Sequence, residues 1–222
     1  MSEIFIVRLQ FSRQEPAIWL AHLDMMRTFE RSIRRAGLPI CWSQGYNPRP
    51  QMTFALPISV GLATAGDCLD LSLAQDLEPS YVMTQLNHFL PAGFAILAAR
   101  RAAPSKASLM SLVRAADYRL ETPGLAEAVA RLAPTQPLVV KKFSKGKRVD
   151  VDIRPLIEKI QLQGPDCLEM RVKAGSSANL RPDLFLKALE TYGDLPAQAA
   201  ADCAVTRLAL ILDSPGPEAV GP

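Results

Sequence analysis

The chain has 222 residues, 49% hydrophobic and 21% charged, with a formal charge of +3. That balance excludes wholesale disorder, and the length fits one large domain or two of roughly 100 residues each. No apolar run approaches the roughly 20 residues that span a bilayer; the start Met1-Ser2-Glu3-Ile4-Phe5 has no basic n-region, so a cytoplasmic protein without a membrane partner is expected.

Residues 4–11 read as a strand, with the clearest alternation from Val7 to Phe11. Residues 21–36 have helical spacing, with Leu23, Met26, Phe29, Ile33 and Ala36 near one face and Gly37 and Pro39 as the stop. Ile40 to Leu56 reads as strand, Gly-Tyr-Asn-Pro turn, strand, and residues 68–73 alternate cleanly. Pro79-Ser80 opens a helix to about Leu90, and Phe94 to Ala98 returns as a strand. The second half repeats the order more weakly: strand 117–121, helix 124–132, a hairpin of 138–143 with 149–153 across a five-residue loop, strand 167–173, helix 181–192 and strand 203–212. Pro182 suits the first position of that last helix. The expected fold is α+β, two tandem ferredoxin-like (βαββαβ) domains with antiparallel sheets, spanning 1–103 and 113–213, with a disordered tail at 214–222.

The near-neutral total conceals segregated charge. Residues 1–60 carry +3, 61–99 carry −4, 100–148 carry +8 and 149–222 carry −4. A concentration of +8 over 49 residues suits a polyanion such as RNA, or a solvated Lys-rich loop. Cys41, Cys68, Cys167 and Cys203 form no C-x-x-C, and His22 and His88 are the only histidines, so no metal and no cofactor is expected. Walker, G-x-G-x-x-G and G-x-S-x-G patterns are absent.

Four segments could carry function. Arg27, Arg31, Arg34 and Arg35 form a cationic stripe opposite the apolar helix face; it suits phosphates, or a salt-bridged solvent face with Asp24 and Glu30. Ser43 to Pro50 gathers Gln44, Tyr46, Asn47 and Arg49 between fixed prolines, a platform for an unstacked base or a rigid connection. Lys141, Lys142, Lys145, Lys147 and Arg148 surround a hairpin tip and would meet phosphates without sequence preference. Asn179 and Arg181 precede a helix start, where they could hold an anion or simply cap the helix. His22, at the start of the first helix, is a candidate for a general base; no catalytic residue is otherwise assigned.

The stretch His22-Leu23-Asp24-Met25-Met26-Arg27, Glu30 to Pro39, Ser43 to Pro50 and Phe54 to Gly61 resembles the bacterial radical SAM-associated proteins of the DUF2344 type. Leu86-Asn87, Leu90-Pro91-Ala92-Gly93 and Arg181-Pro182-Asp183 fit the same pattern. The family often has Ser where this chain has Ala21, and Phe and His where it has Tyr46 and Arg49. The Arg in place of His argues against a proton donor at 49 and suits an anion contact. The resemblance implies a protein encoded beside, or fused to, a radical SAM protein, in a neighbourhood of RNA and ribosome metabolism. This chain lacks the C-x-x-x-C-x-x-C triad of the radical SAM cluster itself. The expected function is a non-catalytic RNA-binding accessory, with RNA (ribosomal RNA among the candidates) and a radical SAM protein as partners. A metal-independent RNA endonuclease and a protein–protein adaptor using Met25, Met26 or Trp42 are the alternatives.

Overall fold

The computed structural model describes residues 3–103, 107–144 and 146–213, so the expected tail at 214–222 and Lys145 lie outside the described residues. The fold is α+β with mostly antiparallel pairing, and it divides into two compact units: Met1–Val113 with the chain from Leu212 onward, and Arg114–Ile211.

The first unit contains β1 (Phe5–Arg13), α1 (His22–Arg35), β2 (Met52–Phe54), β3 (Ala63–Leu73), α2 (Pro79–Phe89) and β4 (Phe94–Ala102). Its strands lie in the order β4-β1-β3-β2, each neighbouring pair antiparallel. Strand alternation sends Val7, Leu9 and Phe11 of β1 and Leu69, Leu71 and Leu73 of β3 into the core. The helices meet them with Met25, Phe29 and Ile33 of α1, spaced four apart, and Val82 and Leu86 of α2. Phe29 sits edge-on to Phe11, Phe54 and Phe94 at 5.2, 5.3 and 5.4 Å between ring centroids. Burying such a ring stabilises by about 1.5–3 kcal/mol. The Ser32 hydroxyl donates to the Phe89 carbonyl at 3.2 Å and ties α1 to α2. Gly37, at φ +63°, ends α1 in a conformation that disfavours a Cβ.

Between β1 and α1 the chain makes a 3-10 turn at Ala17–Trp19 that the sequence pattern did not indicate. The wholly buried Arg13 guanidinium holds this connection, donating to the carbonyls of Leu20 (3.2 Å), Ser59 (2.5 Å) and Leu62 (2.6 Å). The span 40–56 differs from the expected pair of strands. Only Met52–Phe54 is a strand; Ile40 and Trp42 make isolated bridges to Leu73 and Pro50. Pro48, Pro50 and the exposed run from 44 to 49 leave too few donors and too little apolar surface for a continuing ladder.

The second unit contains β5 (Val113–Glu121), α3 (Leu125–Ala130), β6 (Val139–Ser144), β7 (Lys147–Asp152), β8 (Ile157–Leu162), β9 (Cys167–Lys173), α4 (Pro182–Tyr192), α5 (Ala197–Ala201) and β10 (Ala204–Leu212). Its main strands follow the order β10-β5-β9-β8, and β6 pairs with β7 as a separate antiparallel hairpin. The hairpin strands are longer than expected: Ser144 pairs with Lys147, so the connection is two residues rather than five. The Tyr192 hydroxyl both accepts from the Val139 amide (3.2 Å) and donates to the Val139 carbonyl (3.1 Å), which docks β6 on α4. Leu184, Phe185, Ala188 and Leu189 form the buried side of α4, and Pro182 opens it.

Both units place a bidentate Arg–Asp pair across their two central strands. Arg8 on β1 meets Asp70 on β3 at 2.7 and 2.8 Å, and Arg171 on β9 meets Asp117 on β5 at the same distances. The polarity is crossed: the cation is on the first strand of one unit and on the strand facing it in the other.

Candidate functional site

The four α1 arginines lie along the exposed side of the helix. Each has a neighbour: Arg27 bonds Asp24 (3.1 Å), Arg31 the Thr28 hydroxyl (3.3 Å) and Arg34 Glu30 (2.7 Å), while the Arg35 guanidinium lies 5.7 Å from the centre of the Phe89 ring. The Arg27–Asp24 pair is more than half exposed on both sides. Exposed pairs of this kind contribute about 0–1 kcal/mol, so exchanging a carboxylate for a phosphate costs little. The stripe and the solvated face are therefore compatible descriptions of one surface.

The chain then returns to that surface. After Gly37, Ile40 pairs with Leu73 and the Cys41 amide donates to the Ser72 carbonyl at 2.8 Å, which anchors the segment to β3. Trp42 follows, and its ring lies 4.8 Å under the Arg34 guanidinium. The loop beyond closes on itself: the Ser43 amide donates to the Arg49 carbonyl (2.8 Å), and the Arg49 amide to the Ser43 hydroxyl (2.9 Å). The Gln51 side-chain amide donates to the Trp42 carbonyl at 3.3 Å. Gln44, Tyr46, Asn47 and Arg49 are exposed on this closed loop, Tyr46 completely. Arg34, Trp42 and residues 43–50 thus form one surface in the first unit. No carboxylate occurs between Glu30 and Asp67 in the sequence, a span holding Arg31, Arg34, Arg35 and Arg49. Trp42 was not among the predicted nucleotide contacts. The signal was an aromatic residue at the neck of the loop, but its link to Arg34 exists only after the chain reverses.

His22 is half-buried at the start of α1, with its ring edge-on to Phe54 at 5.5 Å. Met25 is fully buried in the core, so it cannot join an exposed apolar patch with Met26 and Trp42. Trp42 is exposed, as are Trp19, Leu23 and Val60, whereas Met26 is half-buried.

The remaining predicted residues belong to the second unit. Lys141, Lys147 and Arg148 are exposed on the β6–β7 hairpin and Lys142 is half-buried; Asp150 stands opposite Lys141 in the register. Arg181 caps α4 from its backbone, and its side chain bonds Asp183 in the first helical turn at 2.7 Å. That carboxylate already answers the positive end of the helix dipole, which weakens Arg181 and the half-buried Asn179 as an anion site.

Thiolate formation is disfavoured at two of the four cysteines, Cys68 and Cys203. Burial, reinforced by Asp67, pushes Cys68 up to about 11, and burial also pushes Cys203 up to about 11. Among the described residues no group of three or more His, Cys, Asp or Glu side chains could hold a metal ion. No described helix is long and apolar enough to cross a membrane.

No curated protein matches this chain. A family model described as "Uncharacterized protein conserved in bacteria (DUF2344)" matches residues 7–182, which run from within β1 to the first residue of α4. The chain belongs to the DUF2344 family.

Proposed function

We propose that the protein is a non-catalytic RNA-binding accessory that acts in the cytoplasm with a radical SAM enzyme on RNA or ribosome maturation. The observation that carries this reading is the Arg34 guanidinium of α1 lying over Trp42, the residue that leads into the closed 43–50 loop. Guanidinium groups recognise phosphate oxygens in bidentate fashion, and Tyr46, Asn47 and Arg49 are presented where a nucleotide can reach them. The hairpin adds Lys141, Lys142, Lys147 and Arg148 as backbone contacts. The radical SAM partner rests on the family resemblance alone.

We further read both units as ferredoxin-like. The chain order βαββαβ and the spatial order β4-β1-β3-β2 support this in the first unit. The matching order β10-β5-β9-β8 supports it in the second, with the β6–β7 hairpin inserted after α3.

Filter binding of RNA across a salt series tests the function. Each phosphate neutralised on a single strand contributes about 0.7 to the slope of log affinity against log salt. Replacing Arg27 and Arg31 together by Ala should therefore lower the slope by about 1.4. Absence of RNA affinity, or affinity indifferent to salt, would sink the proposal.

A further inference from the structure

We infer that Trp42, held under Arg34 at the neck of the 43–50 loop, is a stacking platform for an unpaired nucleobase and makes the protein select single-stranded over duplex RNA. The inference rests on the RNA-binding reading and adds to it the form of RNA and the residue that reads it.

The first observation is where aromatic surface is exposed. In an antiparallel sheet with helices on one side, bases can stack on the opposite face. In the first unit that face of β1 and β3 carries Arg8, Gln10, Ser12, Cys68, Asp70 and Ser72, without an aromatic ring. The returning loop exposes two rings, Trp42 and Tyr46; Trp19, before α1, is exposed as well but lies outside the arginine-bearing span 31–66. The second observation is rigidity. Trp42 bridges Pro50, its carbonyl accepts from the Gln51 side chain, and the Ser43–Arg49 bonds close the neck just beyond it. Arg34, itself steadied by Glu30, fixes the indole from the helix side, and 37% of the residue stays exposed. A ring held in this way loses little freedom when a base adds to it.

The third observation is charge. The span from residue 31 to 66 has arginines but no carboxylate, so it favours an anionic partner. A flat ring among guanidinium groups matches the planar face and adjacent phosphate of a nucleotide. Duplex RNA keeps its base faces inside the helical stack. It can therefore meet the arginines but not the indole, and this difference is the source of selectivity.

Trp19 and Trp42 are the two tryptophans of the chain, which makes the site directly observable. In a W19F variant, Trp42 is the single indole. Single-stranded poly(U) or poly(A) should quench its emission, and a duplex of equal phosphate content should not. W42A should weaken single-strand binding roughly five- to 150-fold, the range of one base–aromatic stack. The loss should be the same at every salt concentration, because stacking releases no counterions, and duplex affinity should not change. W42F, which keeps a ring, should recover part of the loss. It also controls for misfolding, as does the W19F experiment, in which position 42 is untouched.

RNA that binds with a salt slope, leaves Trp42 emission unmoved and does not distinguish W42A from wild type would overturn the base site while leaving RNA binding intact. Failure of both nucleic acids to bind would overturn the two readings together. Polyglutamate that quenches Trp42 as strongly as poly(U) would overturn the base site in favour of an acidic peptide.

Discussion

Gly93 follows α2 and leads into β4, and an alanine there should destabilise the first unit through two separable effects. Its φ is +90°, and a Cβ built on it would lie 2.7 Å from the Gln14 carbonyl oxygen and 2.8 Å from both the amide nitrogen and Cβ of Ala17. Two of those atoms are backbone, so no side-chain rotation relieves the contact. The left-handed conformation alone costs an L-residue about 1–2 kcal/mol. Displacing the 14–17 loop adds an overpacking cost of about 1–3 kcal/mol and strains the 2.8 Å bond from the Gln14 amide to the Gly93 carbonyl. The expected total is about 2–5 kcal/mol. Gly37 supplies the internal reference: its φ is +63° and nothing lies within 4 Å of the would-be Cβ. G37A should therefore show only the backbone share, about 1–2 kcal/mol. Urea unfolding followed by tryptophan emission is the assay, because Trp19 and Trp42 both lie in the first unit. A G93A protein no less stable than G37A would refute the steric argument, and with it the role of Gly93 in setting the connection that leads into α1.

Asn87 of α2 brackets β4: its side chain donates to the Ile96 carbonyl at 2.9 Å and accepts from the Ile96 amide at 2.7 Å. N87A should cost about 1–3 kcal/mol in the same urea assay, since two backbone groups lose their partner at once; unchanged stability would refute the role. At Cys68 and Cys203, burial disfavours the thiolate and moves each titration up to about 11, above the ordinary value near 9.0. At pH 8 the reactive fraction should then be on the order of one part in a thousand. Both thiols should resist an aromatic disulfide reagent in the native protein and react on denaturation; native-state labelling at the rate of a free thiol would contradict this.

The parts legible in the sequence were those where one periodicity dominates. α1 is read from the helical spacing of Leu23, Met26, Phe29, Ile33 and Ala36 and a glycine stop, although Leu23 is exposed and Met25 is the residue buried. β3 is read from six residues of clean alternation, although the strand starts at Ala63. β8 was not legible. Its register against β9 shifts between Ile157 and Lys159, so Ile157, Ile160 and Leu162 do not alternate along the chain. The short α5, an alanine-rich run after Pro196, gave no apolar face to detect. At the candidate site the local signals held the arginine stripe and the loop, each as a choice between binding and scaffold. What joins them, Arg34 against Trp42, depends on a chain reversal anchored to β3 by backbone bonds. Side-chain spacing carries no record of such bonds. Arg181 shows the opposite case: Asp183, two residues on, already signalled an occupied cation.

The crossed Arg–Asp pairs affect how the chain avoids errors while it folds. Two units with the same strand order offer each other interchangeable partners, and a nascent β1 could pair with β9, or β5 with β3. Equivalent registers would then set Arg8 against Arg171 and Asp117 against Asp70, like charges directly opposite one another. Correct pairing gives each arginine a bidentate carboxylate at 2.7 and 2.8 Å. Had both units carried the pair in the same sense, the wrong partner would have been as welcome as the right one. The reversed polarity thus marks each half of the chain with its own identity, a safeguard against strand exchange between two units of like strand order.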